Sequence, residues 1–441
     1  MASPVEGAAK ATWIVNLRYR PPRPGQHAAA PWRANDIAGK HNHGMDVAVV
    51  RSEEARDLDP SVPTGDLRAI VAADAAFAFD LYHELAAGRQ ANLFFSPSSA
   101  AAALTMAYAG ARGRTADEMA RVLHTPFAGD RLHAARNRLD LDLRRSDDGE
   151  ALALHVANAL WGHAGVPFEE PFLGTLARHY GAGMHVADFA TDPDGVRRAI
   201  NDWVETATRD KIREMFPAGS IDTLTRLVLA NAVYLRAQWV EPFDPAATEP
   251  GPFQRLDGRS RPVPMMHTVA LYDYAEGDGY QAIRLPYVGD AAMLVVVPEP
   301  GRFTEIQPGF TAEFVDQLIR RLGPHQVDLR MPRFGFTSAF GLVNALSALG
   351  MPAAFDASAA DFGGITSHQT LFLQDVRHQA YVNVDERGTE AAAATGIALR
   401  TVAFRTGPPA QLTLDRPFLF AIRHRTTGSL LFLGHVVEPT P

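Results

Sequence analysis

The pattern of apolar and polar positions along the chain changes at Leu67. Upstream, residues 1–66 mix prolines, charges and small side chains without a sustained period, which favours a disordered N-terminal extension. From Leu67 onward, LRAIVAADAAFAFDLYHELAAG carries apolar residues at helical spacing and stops at Gly88. We therefore expect an ordered domain over residues 67–441 behind a disordered leader.

Other segments downstream show clear helical or strand patterns. Helices are predicted in SSAAAALTMAYAGA, TADEMARVLH and DGVRRAINDWVETATRDKIREMF. Aliphatic and β-branched residues between turn residues predict strands in LTRLVLANAVYL, AAMLVVVPEP and QVDLRMPRF, and RPFLFAIRHRTTGSLLFLG predicts a hairpin around Thr-Thr-Gly. Helices come mostly first and strands mostly later, without regular βαβ alternation. The pattern indicates an α+β fold with an antiparallel or mixed sheet.

Composition narrows the classes of function. A chain of 441 residues with 46% hydrophobic and 21% charged residues is typical of a globular protein with two domains or one large one. A net charge of −8 argues against a protein-wide attraction to nucleic acid or anionic lipid. Aspartates interleave the basic run at 131–145, which favours a solvated helix face over a polyanion site.

The absence of cysteine excludes disulfides, cysteine-ligated zinc and thiol catalysis, and it suits a reducing compartment. No apolar run approaches the roughly 20 residues of a membrane span, and no secretory pattern opens the chain. We expect a cytoplasmic protein without membrane or nucleic-acid partners and without a cofactor. A true start elsewhere, for example at Met45, would leave secretion open.

Catalytic motifs are missing from the sequence. GDGYQA at Gly277–Ala282 half-matches a dinucleotide-binding loop, but it runs into a predicted strand and is better explained as a hairpin turn. The chain contains no G-x-S-x-G elbow, phosphate-binding P-loop or H-E-x-x-H helix. A hydrolase with a dispersed serine, histidine and aspartate triad remains a distant alternative.

The stretch DERGTEAAAATGIALRTVAF, residues 385–404, supports two interpretations. Thr389 as N-cap, the alanines and Gly396 as a stop would make a helix, but one too short to be stable alone. If the segment is a strand, alternation places Glu390 and Arg400 on one face and only small or apolar residues on the other. Such a strand can enter a sheet without burying a charge. The small or apolar face consists of Thr389, Ala391, Ala393, Thr395, Ile397 and Leu399.

Six blocks of sequence occur in the order in which a known family carries them. They are NLFFSPSSAAAALTMAYAGARGRTADEM, INDWVETATRDKI, LANAVYLRAQWVEPFD, ADFGGIT, VNVDERGTEAAAA and RPFLFAIRHRTTGSLLFLGHVVEP. From Leu67 to Pro439 the chain resembles the serpin family, as an inhibitory member of prokaryotic type. The resemblance implies a single metastable α+β domain with three β-sheets, about nine helices and an exposed reactive-centre loop.

The resemblance also implies a protease inhibitor, not an enzyme. A target serine protease cleaves the loop, which then inserts as a new strand in the central sheet and carries the acyl-enzyme with it. At about 3.3 Å per residue, an inserted strand of some fourteen residues moves its end on the order of 45 Å. We expect a monomer that forms covalent complexes with serine proteases. A non-inhibitory serpin that acts as a binding or chaperone protein remains the alternative.

The resemblance places a hinge and a reactive bond in the loop. The hinge comprises Glu386, Gly388, Thr389, Glu390, Ala391, Ala392, Ala393 and Ala394. The family's spacing of seventeen residues, counted from Glu386, gives Val402–Ala403 as the cleaved bond. Val402 suits elastase-like or subtilisin-like proteases. Residues 403–417 form a longer segment than in many serpins, so other reactive bonds stay open. Arg400 or Arg405 before the cleaved bond would indicate trypsin-like targets, and Phe404 would indicate chymotrypsin-like ones. Cysteine proteases stay open as targets too.

Two further groups of residues match family features around the central sheet. Ser96, Ser99, Asn231 and His378 match a buried polar cluster, here called the shutter, whose hydrogen bonds hold the sheet closed or simply satisfy a static core. Trp239 and Arg333 match the breach, the end of the sheet where insertion begins. Arg333 is expected to pair with Glu386, and an exposed pair contributes at most about 1 kcal/mol.

Overall fold

The computed structural model describes residues 47–145, 151–389 and 408–440. The α-helices in these ranges are α1 (Thr64–Ala86), α2 (Pro97–Tyr108), α3 (Gly113–Val122), α4 (Asp130–Arg145), α5 (Glu170–Thr175), α6 (Pro193–Ala207), α7 (Phe303–Ile306), α8 (Ala312–Arg321) and α9 (Val343–Leu349). None of these helices is both long and apolar enough to cross a membrane.

Strands make up most of the second half of the described chain. The first eight are β1 (Ala48–Val50), β2 (Leu93–Phe95), β3 (Leu152–His163), β4 (Met184–Ala187), β5 (Leu227–Gln238), β6 (Glu249–Gln254), β7 (Ser260–Gly277) and β8 (Tyr280–Pro286). The others are β9 (Ala291–Pro298), β10 (Gly323–Pro332), β11 (Phe334–Gly341), β12 (Asp375–Asp385), β13 (Gly388–Thr389), β14 (Ala410–Thr413), β15 (Phe418–His424) and β16 (Leu430–Val436).

The periodic segments adopt the structures that their patterns predict. The four predicted helices correspond to α1, α2, α3 and α6, and the hairpin around Thr-Thr-Gly joins β15 to β16. The predicted turn in GDGYQA is the tight connection from β7 to β8, with Gly279 at φ +76°. Only the end of α6 differs from the prediction. Arg209 and Asp210 adopt positive φ angles of 51° and 65°, so the helix stops before the predicted end at Phe216.

The central sheet has the strand order β1-β4-β3-β5-β13-β12-β11. Its middle strands β5 and β12 are parallel and pair directly with each other over Asp375–Tyr381 and Val228–Tyr234. Beyond that stretch the short strand β13 lies between them. The central sheet is therefore closed along most of its middle seam and open at one end.

The remaining strands form one nine-stranded sheet, in which the long strand β7 pairs with several neighbours. Its first part pairs with β6 and β10, and β10 carries β14 on its other edge. The end of β7 pairs with β8, from which the order continues through β9, β15 and β16 to β2. The expected α+β fold is confirmed. Of the three expected β-sheets, the two smaller ones are joined through β7 into this one nine-stranded sheet.

Two packed cores cover the two faces of the central sheet. On the inner face, Val233, Leu235 and Val382 belong to a fully buried cluster with Phe334 and Phe420. On the outer face, α6 packs onto the alanine-rich part of β5, and the side chains of this second cluster include Val196, Ile200, Ala230 and Ala232. Sliding a strand into this sheet therefore requires small residues or a matching apolar face.

The disordered extension predicted for residues 1–66 is wrong for residues 47–66. Strand β1 pairs antiparallel with β4, Ala48 opposite Val186, and α1 already begins at Thr64. Arg56 donates hydrogen bonds of 2.9 and 2.8 Å to Asn137. A three-residue edge strand is too short to show a period, and its pairing partner lies far away in sequence. Residues 1–46 lie outside the described part of the chain.

The basic run on α4 is only in part the solvated face that the sequence indicates. Arg138 and Arg145 pair with Asp142 at the surface. Arg136 instead lies in the core, where its Nη1 is 2.5 Å from Oδ2 of Asp74. The prediction of a fully solvated face is therefore wrong at Arg136, because its position faces α1 across a packed interface.

Candidate functional site

The hinge of the predicted loop begins inside the central sheet. In β13, Gly388 and Thr389 pair antiparallel with Gln238 and Ala237 of β5. On its other side Thr389 pairs with Val384 of β12. The chain thus turns back at the end of β12 and enters the open end of the seam between β5 and β12. Glu390–Ala394, Val402 and Ala403 lie outside the described residues.

Gly388 is required by the tightness of that turn. Its φ is +150°, a region that side-chain-bearing residues rarely adopt. A Cβ at this position would lie 1.9 Å from the carbonyl oxygen of Ala237. Any side chain here would push β13 away from β5.

Thr389 occupies a fully buried position under the sheet. Its hydroxyl shares a hydrogen bond of 2.6 Å with the hydroxyl of Tyr287. The Tyr287 ring stacks on Trp239 with a centroid separation of 4.4 Å. Burial raises the pKa of Tyr287, so its hydroxyl keeps its proton for this bond. The hinge is therefore anchored by its side chain as well as by its backbone.

Glu386 forms the polar anchor of the turn. Nε of Arg333 donates a 2.7 Å hydrogen bond to Oε1 of Glu386, and the hydroxyl of Thr248 donates to the same oxygen. Burial would raise the pKa of Glu386, but the hydrogen bonds from Arg333 and Thr248 outweigh it and hold that pKa below its usual value. The Glu386 side chain is only 6% exposed. The expected pair between Arg333 and Glu386 is present. Because its carboxylate is buried, the loss of Arg333 would be more costly than the loss of a partner from an exposed pair.

Trp239 fixes the backbone of the same turn. Its indole Nε1–H donates to the carbonyl oxygen of Asp385 at 3.0 Å. Its backbone N–H donates to the carbonyl oxygen of Arg387 at 2.8 Å. The residue directly follows β5, so it connects the end of one seam strand to the turn that leaves the other. The two breach residues, Trp239 and Arg333, thus meet at Asp385–Arg387.

The four shutter residues come together lower in the same seam. His378 of β12 lies opposite Asn231 of β5, and Asn231 lies opposite Asn158 of β3. Ser96 and Ser99 reach them from the first turn of α2, where the Ser96 side chain caps the helix by accepting the Ser99 N–H. Three strands and one helix therefore contribute to a single polar cluster.

The hydrogen bonds of the shutter determine which nitrogen of His378 carries the proton. The Ser96 N–H donates to Nε2 of His378 at 3.0 Å, so Nε2 is the acceptor. The Nδ1–H is then the donor to Oδ1 of Asn231. Burial lowers the pKa of His378 to about 3, which keeps the ring neutral.

Asn231 completes the network with its amide hydrogens. They reach the hydroxyl of Ser99, at 2.6 Å, and Oδ1 of Asn158. The Ser99 hydroxyl in turn donates to Oδ1 of Asn158 at 3.3 Å. The side-chain polar groups of Asn231 and His378 are therefore all paired, as buried polar groups must be, and the bond between them crosses the closed seam.

Sequence reasoning missed three members of the site. Asn158, Thr248 and Tyr287 come from β3, from the loop before β6 and from the end of β8. None of the three belongs to a local sequence motif. Only Asn158 could have been found, from its pairing with Asn231 between β3 and β5. In the parts of the chain that the structure describes, no group of three histidine, aspartate or glutamate side chains is placed to hold a metal ion.

Comparisons with known proteins agree with this geometry. Residues 72–439 match the family model described as serpin (serine protease inhibitor). An uncharacterized serpin-like protein of Thermococcus kodakarensis is 37% identical over 377 residues, covering 85% of this chain and 87% of that protein. The leukocyte elastase inhibitor of Bos taurus is 35% identical over 382 residues, covering 83% and 99%. Uncleaved ovalbumin matches with a TM-score of 0.76 at 25% identity, covering 84% and 100%.

Proposed function

This chain belongs to the serpin family, and on that premise we propose that it traps serine proteases as a suicide substrate. The protease cleaves Val402–Ala403 and becomes acylated by Val402. The freed loop then inserts between β5 and β12 and carries the protease with it. One observation carries this proposal above the others: β13 already lies between these two strands, so the inserting strand has its first two residues in place.

Continuing the register of β13 along β5 gives the extent of insertion that we propose. Gly388 lies opposite Gln238, and each later loop residue moves one position back along β5. Leu399 then comes opposite Leu227, the first residue of β5. Eleven such steps at about 3.3 Å carry the chain roughly 36 Å, with Val402 beyond the far end of the strand. A protease attached to Val402 would cross the whole height of the sheet.

The side chains that enter the core in this register are small or apolar. Thr389 is already buried on the inner face. Two positions later Ala391 would face Leu235, and Ala393 would face Val233, both of them core residues of β5. No charge enters the core, because Glu390 and Arg400 belong to the other face.

The same register brings Thr395 to the shutter. It would lie opposite Asn231 on one side and opposite His378 on the other. A new strand separates β5 from β12 by about 4.8 Å more, which breaks the bond between those two side chains. A threonine hydroxyl is both donor and acceptor, so it replaces both halves of that bond. The shutter network is thus re-formed in the inserted state.

The targets follow from the residue before the cleaved bond. Val402 is small and β-branched, which suits the modest apolar pockets of elastase-like and subtilisin-like proteases. The bovine relative is named leukocyte elastase inhibitor, which supports the same class. We therefore place elastase-like and subtilisin-like enzymes before trypsin-like and chymotrypsin-like ones.

The test is to mix the purified protein with elastase, subtilisin, trypsin and chymotrypsin and to analyse each mixture by denaturing gel and intact mass. We expect an SDS-stable complex with elastase or subtilisin and a released C-terminal peptide that starts at Ala403. A Val402→Arg variant is the matched control, which should shift complex formation to trypsin. Cleavage in the loop without any complex, with all four enzymes, would contradict the proposal and leave a non-inhibitory serpin.

A further inference from the structure

A small cavity lies behind the shutter, between helices α1, α2 and α4 and strand β3. Its volume is about 60 Å³. It is lined by Asp74 of α1 and Arg136 of α4, and also by Ser99 and Asn158. Such a volume accommodates roughly four water molecules, or one ion of a few heavy atoms.

The charged wall of this cavity is incompletely paired. Arg136 and Asp74 are each only 4% exposed and touch through Nη1 and Oδ2 alone. Nε and Nη2 of Arg136 and Oδ1 of Asp74 are buried and have no hydrogen-bond partner among residues 47–145, 151–389 and 408–440. Buried charged groups with unsatisfied hydrogen bonds are rare, and an unseen ligand or water is the common explanation.

The two free nitrogens of Arg136 form one particular edge of its guanidinium group. Nε–H and Nη2–H point in the same direction and match the two oxygens of a carboxylate or phosphate. The same chain shows this use elsewhere: Arg131 holds Asp66 with Nε to Oδ2 at 2.8 Å and Nη2 to Oδ1 at 2.7 Å. At Arg136 the equivalent edge is buried, and its Nε and Nη2 have no hydrogen-bond partner among the described residues.

The carboxylates around the cavity do not block an anion there. Asp140 also lines it, but Arg56 and Arg144 both pair with that carboxylate. Burial raises the pKa of Asp74 although Arg136 opposes the shift.

We propose that Arg136 binds a small oxyanion in this cavity through its Nε and Nη2. Inorganic phosphate and a free carboxylate such as acetate share the required chemistry. The ligand would fill the space between α4 and the shutter residues Ser99 and Asn158. The site is separate from the reactive loop, so it does not depend on the protease specificity proposed above.

Isothermal titration of the full chain with inorganic phosphate, and separately with acetate, at constant ionic strength in chloride tests this directly. We expect saturable binding of one anion per chain. Arg136→Lys keeps a charge beside Asp74 but loses the bidentate edge, and we expect about tenfold weaker binding. Arg138→Lys, two residues further on the same helix at the Asp142 pair, is the matched control and should bind as the wild type does.

A second variant tests the site even if Arg136→Lys does not fold. In Asp74→Asn combined with Arg136→Gln, no uncompensated charge remains buried, and saturable binding should disappear while the thermal transition stays cooperative. The relative affinities for phosphate and acetate also show whether the site prefers a phosphate or a carboxylate. No saturable heat with either anion, or equal binding by all variants, would overturn the proposal and leave a cavity filled with water.

Discussion

His378 and Asn231 face each other across the closed seam of the central sheet, and the Nδ1–H of His378 donates to Oδ1 of Asn231. This is the contact that any strand entering between β12 and β5 must break. Beyond Tyr381 and Tyr234 the seam is already open, because Thr389 lies between Val384 and Ala237. The closed and the open parts of one seam therefore lie a few residues apart.

A charge on the inner face of the hinge should abolish inhibition. Thr389→Arg places a guanidinium where the native hydroxyl is fully buried against Tyr287, so insertion slows and the acyl-enzyme is hydrolysed. On a denaturing gel with elastase, the fraction of cleaved inhibitor should rise to nearly all, with no complex. Glu390→Arg, one residue further and on the outer face, is the control and should keep complex formation within about twofold. Full complex yield from Thr389→Arg would show that the hinge is assigned wrongly.

Loss of Arg333 should loosen the breach. Arg333→Ala leaves the buried Glu386 with only the Thr248 hydroxyl at Oε1, and we expect a loss of about 1–3 kcal/mol in the free energy of unfolding. Amide exchange at Gly388 and Thr389 should become faster at the same time. The control is Arg330→Ala, an exposed residue of the neighbouring β10. Equal exchange rates at Gly388 and Thr389 in both variants would mean that the pair does not hold the hinge.

The shutter histidine should make stability depend on pH in acid. His378 has a pKa of about 3 when folded, against 6.5 ordinarily, so between these values only the unfolded chain takes up the proton. The free energy of unfolding contributed by His378 is complete above about pH 6.5 and is lost as the pH falls. Burial lowers the pKa of His133 and His435 to about 4, so these residues act in the same direction.

Replacing the histidine isolates its share of that pH dependence. His378→Gln should reduce the slope of unfolding free energy against pH by about 1.4 kcal/mol per pH unit between pH 4 and 6, as measured by urea unfolding. The exposed His325→Gln serves as the control and should follow the wild type. Parallel curves for His378→Gln and the wild type would contradict the neutral, buried histidine.

The hydroxyl of Thr395 should matter only after insertion. Thr395→Val leaves Asn231 and His378 without a bridge in the cleaved form, and we expect that form to lose about 1–3 kcal/mol. Thermal unfolding of the uncleaved protein should change little. Thr401→Val makes the same substitution beyond the end of β5 and controls for the loss of a hydroxyl in the loop. An equal effect of both variants on the cleaved form would place Thr395 outside the seam.

The sequence predicts the fold where the signal is local and periodic. The helices α1, α2 and α3 and the hairpin β15–β16 follow from spacing alone, whereas the hinge at Gly388 and Thr389 follows from the resemblance to a known family. The strand alternation that starts at Thr389 also agrees with its burial on the inner face.

What the sequence does not predict depends on contacts between distant residues. Strand β1 is an edge strand of three residues that exists only because β4 lies beside it. Asn158 joins the shutter through register, and Arg136 enters the core because α4 packs on α1. Glu386 is buried by the loop before β6 and by Arg333, which no pattern near Glu386 could show.

The most direct test of loop insertion between β5 and β12 is a crystal structure of the protein after cleavage in the loop. We predict a new strand between β5 and β12, antiparallel to β5, that continues the register of Gly388 and Thr389. In that strand the Thr395 hydroxyl lies within hydrogen-bond distance of both Asn231 and His378. A cleaved structure in which Asp375–Tyr381 still pairs directly with Val228–Tyr234 would contradict it.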